Sequence, residues 1–559
     1  MRDSGLPASM PRNSQKITPC ASDSARWDKE SGPDEGPVAR AFAVLALGAL
    51  GMAALLSLLP AAGHDQLWFL LIAQRWLHGA QLYGPEIFDA NTPAIVWLSA
   101  IPVAAARALH LGLPFTAKLL FALLEALIAA CSLRILRRLG SGTGKSECLF
   151  LIFSFITLFA VVPARDFGQR DLLTALLCLP YILAAALPLE PGQFALRGST
   201  ALLAAIGVCV KPQFALVPLA LELYLLAANR LRSLSRRPEP WVLVAAGLLF
   251  AGAVRLFVLR YFSLTLPTVF STYWAIGHLT PLQLLIEAPH LHLLGVIAIA
   301  GFFRQRSQLR ALNPAIAPLL LAAVAATLSY YVQATGWYYQ QLPAITFFGL
   351  ALALEILAAR EHAALRIPSW SPVAAAALVL LALALAWHFS GYPFSGAAFS
   401  PDSTYAITSP DPSFFRDLPP GTPVATVTTS VDDAIMPIFR YQLTWSQRTN
   451  NLWTLPAILR SETPGGWPVP ARHRLAPGRL AELESMQREW MVEDLARWRP
   501  RLVLVARCQD PAVHCQELED RHDDLLAFFL ADPSFRAIWQ HYRPLRSAGA
   551  YDAYVLADQ

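Results

Sequence analysis

The sequence predicts a helical, polytopic membrane protein that ends in a soluble α/β domain, and three observations carry that class. Apolar residues make up 55% of the 559 positions and charged ones only 15%, with a mean hydropathy of +0.43, well above a soluble globular average. Apolar runs of roughly 18 or more residues recur, each long enough to cross a hydrocarbon slab of about 30 Å. Near Ser390 the composition shifts towards proline, aspartate and arginine, and strand-like runs appear. Disordered, collagenous and small secreted classes are excluded. The net charge of +5 comes from short basic clusters between apolar runs, where orientation signals are expected, so nucleic acid is not an expected partner.

Residues 1–37, rich in Ser, Pro, Gly and charge, read as a disordered cytoplasmic tail. Residues 38–390 form the membrane domain. Its first span runs from about Ala41 to Leu59, and further apolar runs lie at 114–133, 148–163, 171–188, 199–210, 212–228, 241–259, 287–303, 314–332, 342–358 and 371–389. That is about eleven spans. Arg134, Arg137, Arg138 and Lys145, then Arg197, then Arg230, Arg232, Arg236 and Arg237, then Arg304, Arg306 and Arg310, then Arg360 and Arg366 all fall on one side. The positive-inside bias makes that side cytoplasmic, together with Lys16, Lys29 and Arg40 of the tail.

An odd number of spans places residues 391–559 on the periplasmic or extracellular side of an inner (plasma) membrane. Residues 63–113 form an outer loop carrying interfacial helices. Pro93–Leu111 is read as interfacial or re-entrant, because it begins at a proline, is interrupted by Arg107 and His110, and would flip every later arginine cluster if it crossed. Lys211 and Pro212 mark a tight outer turn. Glu125 and Glu222 stand out as the acids inside spans.

In residues 391–559, VATVTTS (424–430), RLVLVAR (501–507) and AYDAYVL (550–556) read as strands, with a helix at 478–498 between them. Cys508 and Cys515 share this polar region, and an outer location allows them to pair. GSGTGKS (140–146) is not a phosphate loop, since the pattern requires glycine where Leu139 stands.

Ionisable groups near a bilayer are costly, so those unexplained by orientation are candidates for function. They gather on the outer side: Asp65, Asp89, then Arg165, Asp166, Gln169, Arg170 and Asp171 in RDFGQRD, then Lys211, Tyr273, Trp274, His278, Trp337, Tyr338, Tyr339, Gln340 and Gln341. Carboxylates, cations and aromatics at one membrane face suit an anionic lipid with a polar head, such as a polyprenyl-phosphate sugar. Arginine offers bidentate geometry to phosphate oxygens. A carboxylate such as Asp65 can take the proton of an attacking hydroxyl. Asp89, Asp166, Gln169, Trp337, Tyr338, Tyr339 and Gln340 are candidates for the sugar or acceptor site. Plainer roles compete: Asp65 as a helix N-cap, Asp89 in an Asx turn, Arg165 and Arg170 snorkelling or paired with Asp166 and Asp171, and the tryptophan and tyrosines as an interfacial belt. His64, His78 and His278 show no ligand spacing among themselves; a divalent metal with Glu86 or Asp89 stays open.

An Asp directly after the first span, NTPAIVWLSAIP, FGQRD before a helix with LPY, KPQFALVPLALE and GWYYQQLP occur in this order. Residues 40–390 thereby resemble the GT-C glycosyltransferases, most nearly the glycosyltransferase 39 group of protein mannosyltransferases and lipid A aminoarabinose transferases. The resemblance implies Asp65 as catalytic base and Arg165, Arg170 and Lys211 at the donor phosphate. It implies inverting transfer of a monosaccharide from a polyprenyl-phosphate donor to a lipid, glycan or protein acceptor, with no required cofactor. The soluble tail is expected to help select the acceptor. A lipid flippase or a non-catalytic lipid-binding scaffold are the rival readings, although no internal repeat favours a carrier.

Overall fold

The computed structural model describes residues 35–58, 62–229, 237–308, 313–361, 410–462, 473–513, 515, 517–518 and 521–557. Most of the expected tail and the expected span at 371–389 lie outside these residues. The membrane part consists of α1 (Glu35–Ala53), α2 (His64–Leu77), α3 (Pro93–Leu109), α4 (Leu113–Arg138), α5 (Lys145–Ile156), α6 (Arg170–Ala184) and α7 (Phe194–Val210). It continues with α8 (Leu216–Asn229), α9 (Glu239–Phe257), α10 (Leu266–Thr272), α11 (Pro281–Glu287), α12 (Pro289–Gln308), α13 (Ile316–Gln333) and α14 (Tyr338–Glu361).

Among the described residues, four helices are long and apolar enough to cross a membrane, namely α4, α9, α13 and α14, or five if α11 and α12, bent by 86°, count as one span. Of the other apolar runs, two form single shorter helices, α6 and α7, and three adjoin irregular helical turns. α1 and α5 pass into π-helical turns at Ala54–Leu58 and Thr157–Val161, and α8 is preceded by a 3-10 turn at Pro212–Ala215. A run that is continuous in sequence is therefore split between a helix and an irregular turn.

The helices divide by what surrounds them. In α6 every residue but Leu173 is buried, so it is the central post of the bundle. It meets α7 through small residues: Ala201, Ala204, Ala205 and Gly207 are buried, and Thr174 Oγ1 donates to the Gly207 carbonyl at 3.2 Å. Small side chains let two backbones approach closely where no hydrophobic driving force separates protein from lipid. In α9 only Glu239 and Val254 are buried, while Leu249, Leu256 and Phe257 are 74–81% exposed. A surface that greasy belongs in hydrocarbon, not water. Glu355 of α14, 1% exposed, is a further acid inside an apolar run, beside the expected Glu125 and Glu222.

The two ends of α3 lie on the side of the bundle that carries Asp65. At its start Thr92 Oγ1 donates to the carbonyls of Cys209 (2.7 Å) and Val210 (3.2 Å), beside Lys211. At its end α4 follows at once, and Lys118 Nζ, in the second turn of α4, donates at 2.6 Å to the carbonyl of Ser57, just past α1.

The C-terminal region builds a five-stranded sheet in the order β2-β1-β3-β5-β4. Its strands are β1 (Pro423–Val427), β2 (Thr444–Trp445), β3 (Leu502–Ala506), β4 (Tyr542–Ala548) and β5 (Tyr551–Leu556). β1 runs parallel to β2 and β3, and β5 antiparallel to β3 and β4. Helices α15 (Val431–Arg440), α16 (Leu455–Glu462), α17 (Pro477–Trp498), α18 (Leu525–Leu530) and α19 (Pro533–Trp539) accompany it. β3 is buried at every position, which is why it reads as an unbroken apolar run. Cys508 and Cys515 form a disulfide just beyond it.

This region is seated on the loop between α2 and α3. The Phe88 amide donates to the Arg448 carbonyl at 2.7 Å, and the Phe88 ring stacks on Trp453 at 5.9 Å. Arg75 of α2 donates to the carbonyls of Glu86 (3.0 Å), Gln447 (2.7 Å) and Trp445. Arg448 is itself held by Asp494 of α17 at 2.8 Å.

Candidate active site

Helix α2 opens at His64 with Gly63 as its N-cap, so Asp65 lies inside the first turn and does not cap it. This corrects the capping alternative. The carboxylate benefits from the positive helix end, and it meets Arg170 Nη2 at 3.2 Å and His64 Nε2 at 3.4 Å.

The RDFGQRD segment folds into a tight turn between α5 and α6. Arg165 and Asp166 lie in a 3-10 turn, and Gly168 has a φ of +87°. A Cβ there would stand 2.5 Å from Gln66 Nε2, which donates to the Phe167 carbonyl and ties α2 to the turn. The positive φ calls for glycine, and a side chain here would also push Gln66 off that bond. The turn delivers Arg170 and Asp171 as the first residues of α6.

Their partners come from other elements. Arg170 reaches Asp65 and the Asn91 side-chain carbonyl, while Asp171 pairs with Lys211 Nζ at 2.5 Å. The expected alternative, pairing of these arginines with Asp166 and Asp171, gives way at Arg170 to this cross-helix scheme. Asp89 does form the Asx turn, accepting from the Asn91 amide at 2.7 Å, and it also accepts from Trp68 Nε1 at 2.6 Å. Burial pushes its carboxyl above the ordinary value, against the opposing pull of those bonds and of Arg170.

These groups face a cavity of about 250 Å³. Of the sequence-derived candidates, Asp65, Asp89, Arg165, Asp166, Arg170, Tyr273, Trp337, Tyr338 and Tyr339 line it. Lys211, Gln169 and Gln340 stand behind it. Lys211 is 5% exposed, held by Asp171 with its Nζ 5.6 Å from the Tyr339 ring centre. Gln340 accepts from Thr335 Oγ1 at 2.6 Å. Gln169 is buried with neither amide atom hydrogen-bonded.

Sequence reasoning missed Asn91 as a partner of Arg170, and missed the wall supplied by the C-terminal region: Thr429, Asn450, Asn451, Trp453 and Glu517. Asn91 lay in a quoted motif; the others carry no local signal. Among the described residues no group of three or more His, Cys, Asp or Glu is placed to hold a metal ion.

A second cavity, of about 410 Å³, opens between α2, α3, α4 and α6. Phe69, Leu70, Ile95, Leu98, Phe121 and Leu173 make most of its wall, with Lys118 and Arg170 among its few charges. Arg170 therefore borders both cavities.

Comparison with solved structures defines the class of fold. The ArnT of Cupriavidus metallidurans, bound to undecaprenyl phosphate, superposes over 92% of this chain and 99% of its own with a TM-score of 0.51 at 15% identity. The archaeal oligosaccharyltransferase AglB of Archaeoglobus fulgidus (TM-score 0.45, 14% identity, 94% of this chain and 74% of that one) and the arabinofuranosyltransferase AftD from Mycobacteria (0.42, 15%, 93% and 40%) align more loosely. No protein-family model matches the sequence, and no curated protein does. The chain shares the fold of ArnT, that of a membrane protein, here with a small C-terminal sheet.

Proposed function

We propose that this protein is a glycosyltransferase that moves a monosaccharide from a polyprenyl-phosphate donor to a lipid, glycan or protein acceptor. The reading rests on one observation: Arg170 stands at the junction of an apolar cavity and a polar one, 3.2 Å from the Asp65 carboxylate. A polyprenyl-phosphate sugar has the same order of parts. Its tail fits the apolar side, its phosphate the arginine, and its sugar the polar side. ArnT, captured with undecaprenyl phosphate, supports that donor class.

In this reading the phosphate competes with Asp65 for the Arg170 guanidinium. A donor that takes the fork leaves Asp65 with His64 alone, free to act as a base. The acceptor hydroxyl then gives its proton to Asp65 as its oxygen bonds the anomeric carbon. The bond from that carbon to the phosphate oxygen breaks, and its electron pair stays on the phosphate, neutralised by Arg165 and Arg170. Lys211 acts at one remove by compensating Asp171, and Gln169 and Gln340 shape the wall behind. Asp89, Asp166 and the aromatic turn at 337–339 surround the sugar and the acceptor. No cofactor enters these steps.

The same proposal sets the cavity face outward from an inner (plasma) membrane, with the arginine-rich loops in the cytoplasm. About eleven spans make up residues 38–390, α2 and α3 lie in the interface, and residues 391–559 form a periplasmic or extracellular domain. The test is sugar transfer in liposomes from a panel of radiolabelled undecaprenyl-phosphate monosaccharides, wild type beside Asp65→Asn. Transfer that requires Asp65 is expected. Tight lipid-phosphate binding without turnover would overturn the enzyme reading in favour of a flippase or scaffold.

A further inference from the structure

We infer that the C-terminal domain reads the sugar of the donor, through Asn451, Glu517 and the face of Trp453. The inference rests on the reading of Arg170 as the donor-phosphate ligand. If phosphate sits there and the tail lies in the apolar cavity, the sugar, one bond from the phosphate, must enter the polar cavity. The far wall of that cavity belongs to the C-terminal domain.

The chemistry of that wall is specific. Asn451 is 8% exposed; its Nδ2 donates to the Thr429 carbonyl, which fixes the amide orientation, and its buried Oδ1 is left with no partner. A buried acceptor without a donor is costly unless a ligand supplies one. Glu517 adds a second group that, ionised, only accepts. It lies two residues past the disulfide at Cys515, with a φ of +65°, and its carbonyl takes a bond at 3.0 Å from Arg460, itself 1% exposed. Such a backbone conformation is unfavourable for glutamate unless its surroundings enforce it.

Trp453, 7% exposed and stacked parallel on Phe88, lines the same cavity with a ring held rigid by that stack. Acceptors beside an aromatic face match a ring that carries hydroxyl donors on its edge and C–H bonds on its face. That describes a monosaccharide. The membrane-side wall, with Arg165 and Arg170, supplies the charges that suit phosphate.

The test measures binding of undecaprenyl phosphate, bare and carrying glucose, mannose or arabinose, to the full chain in nanodiscs. Wild type is compared with Glu517→Gln and Asn451→Ala. The preferred sugar-bearing lipid should bind about tenfold more weakly to each variant, as expected for one lost hydrogen bond to a buried acceptor. Bare undecaprenyl phosphate should bind as to wild type, which also reports that the variants fold. The inference is overturned if both variants keep the wild-type preference among the sugars. Failure of the underlying reading looks different: bare undecaprenyl phosphate would not bind wild type, or would bind Arg170→Ala equally well.

Discussion

Helix α6 carries two buried charge clusters, one at each end, and they differ in one respect. At its start, Arg170 meets Asp65 and Asn91 while Asp171 meets Lys211. Near its other end, Tyr181 donates to Glu222 at 2.7 Å, Arg237 pairs with Glu222 at 2.7 Å, and Arg197 pairs with Glu239 at 2.5 Å. Both clusters are desolvated, and both hold polar atoms with no hydrogen-bond partner, such as Arg170 Nε in the first and Glu222 Oε2 in the second. Only the first lines the two cavities described above. Buried charge alone therefore does not mark a site. The second cluster has the makings of a clasp between α7, α8 and α9, whereas the first has room for a ligand to take part.

Substitutions should separate the two. The largest effect is expected from Asp65→Asn, which removes the base with little change of shape: kcat per folded molecule should fall about a thousandfold, or ~4 kcal/mol, on top of the stability lost when Arg170 loses its carboxylate partner. Glu239→Gln should lose stability alone. Breaking a buried ion pair leaves Arg197 uncompensated and costs about 3 kcal/mol of stability, while turnover per folded molecule stays at the wild-type level. A Glu239→Gln protein that melts normally but transfers no sugar would erase the distinction.

The same contrast shows what the sequence could reveal. Asp65, Arg165 and Arg170 could be singled out as ionisable groups beside apolar runs, and the structure brings all three to the wall of one cavity. The central strands β1 and β3 were legible as short apolar runs. β2 is too short to leave a pattern, and β4, YRPLRSA, hides its alternation behind a proline and arginines suited to an edge strand. The partner choices were not legible. Arg170 is five residues from Arg165 and adjacent to Asp171, yet it pairs across 105 positions with Asp65. The cavity wall at Asn451 and Glu517 is assembled by tertiary packing alone, and its amide and carboxylate look like any surface residues until the sheet is folded.

Arg170→Lys sharpens the comparison from the ligand's side. A lysine keeps the charge and loses the fork that holds Asp65 and Asn91 together, so binding of undecaprenyl phosphate should weaken about tenfold, ~1.4 kcal/mol, by titration in nanodiscs. Unchanged binding would mean that Arg165 alone holds the phosphate.

The last effect, read against pH, concerns another buried pair, Arg448 with Asp494, which lies in the C-terminal region and can be titrated directly. Burial pushes the Asp494 carboxyl from its ordinary value of 3.8 up to about 6, while Arg448 pulls it down. Between those two values the folded protein holds a proton that the unfolded chain has released. The native state then binds more protons, so this group's contribution to stability falls as pH rises from about 4 to 6. The change should be about 2 kcal/mol, visible as a decline in Tm over that window that is absent in Asp494→Asn. If instead stability rises with pH across the window and the variant abolishes that rise, attraction to Arg448 outweighs burial. The seating of the C-terminal domain on Phe88 would then be held by charge, like the clasp at the far end of α6.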